Sequence, residues 1–139
     1  MIASEDNIAF PAVVKDGQVV YGCLDMEMLT FCFPGAIKAG RPVIGMKIFG
    51  ADSRVFEIRS VVKYTRRKPW WKPPLFLTFL TATFDIQESG NVSLLEVKEM
   101  ARDAFKADRI SWEARWGYKE FVKLLDRCGT IADVAKLLR

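Results

Sequence analysis

Two stretches near the middle of the chain alternate apolar and polar residues. Val43–Phe49 puts Ile44, Met46 and Ile48 on one face, with Lys47 opposite. Arg54–Tyr64 puts Phe56, Ile58, Val62 and Tyr64 on one face and Glu57, Arg59 and Lys63 on the other. A period of two with one wet face predicts antiparallel β-strands. Gly50-Ala51-Asp52-Ser53 lies between them and has the composition of a hairpin loop. Leu75–Ile86 predicts a third strand, apolar on both sides in its first half. Gln18–Tyr21 and Leu24–Phe33 are apolar enough to predict further strands. In the second of these, Asp25 and Glu27 would share a face with Leu29 and Phe31.

After Glu88-Ser89-Gly90-Asn91 the period changes. Ser93-Leu94-Leu95-Glu96 is a capping-box pattern, in which the hydroxyl accepts from a free backbone N–H at the helix start. Leu94, Val97, Ala101, Ala104 and Phe105 then line one helical face. A second helix is predicted over Tyr118–Arg127, with Gly129 as its stop. Thr130-Ile131-Ala132-Asp133 repeats the capping logic. Ile131, Val134, Ala135 and Leu138 form the stripe of a short last helix. Strands first and helices last predict an α+β fold: a mostly antiparallel meander with the C-terminal helices packed on one face. The expected face is the one bearing Ile44, Ile48, Phe56 and Ile58.

The chain has 139 residues, of which 50% are apolar and 27% charged. That is the balance of one globular domain over 1–139, without repeats or a linker. There is no His, which removes His general bases, Ser–His and Cys–His pairs and His-ligated zinc. No Gly-rich phosphate loop occurs. No catalytic, cofactor-binding or metal-ligating set assembles, so the expectation is a protein that is not an enzyme and carries no cofactor. Cys23, Cys32 and Cys128 are odd in number and show no Cys-x-x-Cys spacing, so free thiols are expected. The opening MIASEDNIAF carries Glu5 and Asp6 where a secretory signal carries Lys or Arg, and Phe10–Val14 is too short for its apolar core. The expected location is the cytoplasm, with no membrane contact.

Charge singles out one segment. Lys63-Tyr64-Thr65-Arg66-Arg67-Lys68-Pro69-Trp70-Trp71-Lys72-Pro73-Pro74 holds five cations and no acid, leaving 16 cations against 17 anions elsewhere. Arg66, Arg67, Lys68, Trp70, Trp71 and Lys72 are the candidate partner-binding residues. Trp and Arg dominate protein–protein hot spots. The same residue types bind phosphates and stack on bases, so a small nucleic-acid-binding module using residues 63–74 is the alternative. No RRM, KH or zinc-finger pattern accompanies it, which favours protein contact. The plainer reading folds both Trp rings onto the sheet and leaves the cations solvated. Asp25 and Glu27, at strand spacing, are a candidate acid–base or divalent-cation pair. A solvated strand edge explains them better. Trp112 and Trp116, four apart, read as a core contact of a helix.

The central pair IGMKIFGADSRVFEIRSVV and the helical close CGTIADVAKLLR resemble the small cytoplasmic immunity proteins of bacterial polymorphic-toxin and contact-dependent inhibition systems. The resemblance spans Ile44 to the end and is one of layout. It implies a protein that binds one cognate toxin domain and occludes its active site. Immunity proteins against nucleases are often acidic, whereas this chain has a net charge of +4. The resemblance therefore implies either an acidic toxin surface or contact through the acidic N-terminal region, where Glu5, Asp6, Asp16, Asp25 and Glu27 face a single cation, Lys15.

Overall fold

The computed structural model describes residues 1–32, 44–66 and 80–139. Its elements are β1 (Ala12–Asp16), β2 (Val19–Cys23), α1 (Met26–Thr30), β3 (Phe31–Cys32), β4 (Lys47–Phe49), β5 (Arg54–Arg66), β6 (Leu80–Asn91), α2 (Leu94–Ala107), α3 (Arg109–Glu113), α4 (Tyr118–Arg127) and α5 (Ile131–Leu138). The strands form one antiparallel sheet in the order β2-β1-β4-β5-β6-β3. The fold is α+β, and β4, β5 and β6 pair consecutively as the alternation predicts. The β4–β5 turn closes through Gly50 N–H donating to the Arg54 carbonyl at 2.9 Å. Ser53 takes a left-handed backbone there, with φ of 72°.

Both faces of this sheet are covered, and each has its own core. Val13, Val20, Phe49, Val55 and Val92 pack under α2, α4 and α5, against Val97, Phe105, Phe121, Leu125 and Val134. Each fully buried Phe or Leu contributes roughly 1.5–3 kcal/mol. Val14, Ile48, Phe56, Ile58, Phe84 and Ile86 point the other way, against Ala3, Ile8 and Leu29. The helices therefore cover the face opposite to the expected one. Alternation determines which residues share a face, but not which element lies over it.

The helices start where their capping residues predict. The Ser93 hydroxyl accepts from Glu96 N–H at 3.2 Å, and the Thr130 hydroxyl from Asp133 N–H at 3.1 Å. Val97, Ala101, Ala104 and Phe105 are buried on α2; Ile131, Val134, Ala135 and Leu138 are buried on α5. α4 ends without a left-handed glycine: Cys128 follows in extended conformation, and Gly129 N–H donates to Asp133 Oδ2 at 3.2 Å. Among the described residues no helix is long and apolar enough to cross a membrane.

Three expectations need correcting. Leu24–Phe33 is not one strand. Asp25 caps α1, its carboxylate accepting from Met28 N–H at 2.8 Å, and only Phe31 and Cys32 are described as strand. Strand β4 is shorter than Val43–Phe49, because Gly45 adopts a φ of 94° and breaks the extended run; Val43 lies outside the described residues. Strand β6 runs on through Glu88–Asn91 instead of stopping before it, while Leu75–Phe79 lies outside the described residues.

Candidate partner-binding surface

Strand β5 has 13 residues and β6 has 12, but β4 contributes only three. Lys47, Ile48 and Phe49 pair with Glu57, Phe56 and Val55. Among the described residues Ile58 makes the last two bonds on that side: its N–H donates to the Met46 carbonyl at 2.9 Å, and its carbonyl accepts from Gly45 N–H at 2.8 Å. The positive φ of Gly45 takes the chain out of strand geometry there. From Arg59 to Arg66, among the described residues, β5 pairs only with β6. The two strands thus continue as a hairpin arm beyond the reach of β4.

Register shifts at Ile58/Ser60 and at Val61/Lys63 interrupt the ladder of this arm. Such bulges add twist and re-aim the strand. Beyond the second shift the pairing is regular: Lys63 with Thr83, Tyr64 with Ala82, Thr65 with Thr81 and Arg66 with Leu80. Lys63, Tyr64 and Thr65 are exposed. Val62 is 54% exposed and Tyr64 40%, and Ile44, which precedes Gly45, is 66% exposed. Ile44, Val62 and Tyr64 are thus apolar side chains left in water. Arg59 is held loosely, with Glu57 at 3.7 Å.

The candidate residues follow directly from this arm. Arg66 is the last residue of β5, and its backbone pairs with Leu80. Its side chain lies outside the described residues, as do Arg67, Lys68, Trp70, Trp71 and Lys72. In sequence they connect the two strands of the arm at its far end. The strand alternation, by contrast, assigned Ile44, Val62 and Tyr64 to a buried face. Two signals in the sequence could have placed them outside: Gly45 within the apparent strand, and Val61-Val62, which breaks the period of two.

The other candidates are structural. Asp25 and Glu27 sit in the first turn of a five-residue helix rather than on a strand, and the Asp25 carboxylate is engaged as its cap. Trp112 and Trp116 pack on the core ring cluster, with centroids 5.3 Å and 5.5 Å from Phe121. The Arg115 guanidinium lies 4.1 Å above the Trp116 ring. Cys23 is buried, and burial pushes its thiol up to about 11; Cys128 is half-buried and raised for the same leading reason. Both are free thiols. Lys15 and Lys47 are cross-strand neighbours on the helix side of the sheet. They line a shallow cleft of about 330 Å³ together with Glu96, Glu99 and Asp103 of α2. Among the described residues, no three His, Cys, Asp or Glu side chains gather where they could hold a metal ion.

No family model, curated protein or solved structure matches this chain.

Proposed function

We propose that this chain is a protein-binding inhibitor of the immunity type, which neutralises a cognate toxin domain by covering its active site. The β5–β6 arm is the contacting element. The observation that carries the reading is the exposure of Val62 and Tyr64 on a strand that continues past its neighbour β4. Apolar residues held on paired strands lose less conformational freedom on docking than residues of an unstructured segment. The arm leads into Arg66, Arg67, Lys68, Trp70, Trp71 and Lys72, the residue types that anchor interfaces. In this reading the chain acts in the cytoplasm, without a cofactor and without turnover.

The test is inspection of the neighbouring gene for a toxin, followed by co-expression with that toxin domain. The expected result is a co-eluting complex and loss of toxin activity at stoichiometric inhibitor. A toxin that stays active and migrates alone would overturn the reading. The basic, Trp-containing segment supports a second reading, a nucleic-acid-binding module. It predicts salt-sensitive binding of single-stranded oligonucleotides by the chain alone.

A further inference from the structure

We propose that the open pocket where α3 and the turn after it meet β2 and α5 is a binding site for a small aromatic carboxylate, a single ring carrying one anionic group. The pocket measures about 180 Å³ and is lined by Val20, Ser111, Trp112, Arg115, Trp116 and Leu138. It shares no residue with the β5–β6 arm, so it stands apart from the protein-binding reading above. The elements that build it, β2, α3 and α5, adjoin in sequence neither of the segments outside the described residues.

The lining selects a ring. Val20 and Leu138 are nearly buried, at 4% and 5% exposed, and give the pocket an apolar base. The Trp112 and Trp116 rings lie 6.2 Å apart at 33° to each other, and both are fixed by packing on Phe121. Rings held in this way offer a further aromatic ring the tilted and edge contacts it prefers. An apolar cavity of about 150 Å³ accepts benzene. This pocket therefore has the size for one six-membered ring with a short substituent. Charge selects the substituent. Arg115 is the one charged residue of the lining, and no Asp or Glu lines the pocket. Its guanidinium is set in place by stacking 4.1 Å above Trp116 and by Nη1, which donates to the Arg139 main-chain oxygen at 2.8 Å. Among the described residues its Nε and Nη2 have no acceptor, which leaves the edge of the fork that a carboxylate takes with two parallel bonds. Ser111, also exposed, adds a hydroxyl donor. A mostly apolar concavity with one or two polar groups is the usual make-up of a small-molecule site.

The experiment titrates the whole chain with phenylacetate, beside phenylacetamide, phenethylamine and acetate, and reads binding by NMR. The expected result is a phenylacetate Kd on the order of 0.1–1 mM, as befits so small a ligand. The amide and the amine should bind at least about tenfold more weakly, and acetate not at all. Nuclear Overhauser contacts should run from the phenyl protons to the methyl groups of Val20 and Leu138. Two variants test the parts separately. Ser111→Trp, at an exposed position, lays a ring over the pocket and should abolish phenylacetate binding. Arg115→Met removes the cation and should bring phenylacetate down to the level of the amide while leaving the amide unchanged. Thermal melts check that both variants are folded; if Arg115→Met is not, the comparison of carboxylate with amide on the parent chain decides the role of charge. Four outcomes overturn the proposal: no phenylacetate binding at about 10 mM, equal binding of carboxylate and amide, contacts to methyl groups elsewhere, or binding undiminished in folded Ser111→Trp. A dimer of the free chain that Ser111→Trp dissociates would also overturn it, since the pocket would then hold a second copy. The functional reading fails separately: loss of the toxin complex leaves the phenylacetate result unchanged, and a chain that ignores phenylacetate can still bind a toxin.

Discussion

Gly22 of β2 lies directly beneath Ala135 of α5, and a Cβ at position 22 would run into the Ala135 carbonyl oxygen. The contact is backbone against backbone, so no side-chain rotation relieves it. The last helix sits on β1 and β2 at this point. The close approach explains why the sheet has a glycine in the middle of a strand pair where Val13 and Val20 fill the neighbouring positions.

Gly22→Ala should therefore push α5 off the sheet. The expected loss is about 1–3 kcal/mol, the range for overpacking a tight interior. Chemical denaturation with intact slope measures it. Stability equal to the parent chain would show that α5 accommodates the methyl group by sliding, and that the contact is not limiting.

Capping gives a prediction of the opposite sign. Gly117 caps α4 without any side-chain hydrogen bond, whereas Ser93 and Thr130 cap α2 and α5 with one each. Nothing lies within 4 Å of a Cβ built on Gly117. Gly117→Ser should raise stability by roughly 0.5 kcal/mol, from the new cap and a less flexible unfolded chain. Ser93→Ala and Thr130→Ala should each lower it by about 1 kcal/mol. Thermal melts of the three variants check the set, and the signs carry the result.

These helix ends show what the sequence makes legible. Ser93 and Thr130 precede strongly amphipathic runs, so local chemistry and burial agree, and Tyr118–Arg127 forms over its predicted span. Asp25 carries the same kind of signal, but its helix has only five residues, too few to display a period, and the apolar run around it reads as strand. Strand β1 is equally short and is buried on both faces at Val13 and Val14, so it shows no alternation. In β4 and the first half of β5 the period of two is clear, yet Ile48, Phe56 and Ile58 face Ile8 and Leu29 rather than the helices. Which layer covers a face is a long-range property that periodicity does not contain. The arm was legible only as charge: its basic segment is evident in the sequence, whereas its reach past β4 depends on Gly45 leaving strand geometry.

The thiols give a pH-dependent prediction. Burial favours the neutral form of Cys23 and raises it from 9.0 to about 11 in the folded chain. The unfolded chain then releases this proton first. Between about pH 9 and pH 11 the folded state holds more protons, so stability is full below the unfolded value and falls as pH rises through that window. Alkylation near neutral pH should label Cys128 well before Cys23, and denaturant should remove the difference. Without reductant all three cysteines, Cys32 included, should be labelled in the denatured chain. Equal labelling of Cys23 and Cys128 in the folded chain would show that Cys23 is reached without unfolding.

The last prediction concerns the segment that joins the two strands of the arm. If Arg66–Lys72 contacts an acidic protein surface, its cations set the association rate and its Trp residues set the lifetime of the complex. Arg66→Glu with Arg67→Glu should slow association and flatten its salt dependence, with little change in the off-rate. Trp71→Ala should act on the off-rate instead, by about 2 kcal/mol or more if the ring is an anchor. Surface plasmon resonance on the toxin complex, run at several salt concentrations, separates the two effects. Titration of labelled single-stranded DNA and RNA at low salt separates the classes of partner. Binding at micromolar protein that weakens steeply with salt, and is lost in the Arg66/Arg67 reversal, would favour the nucleic-acid module over the inhibitor. A toxin complex whose rates ignore all of these substitutions would show that the basic segment is not the interface.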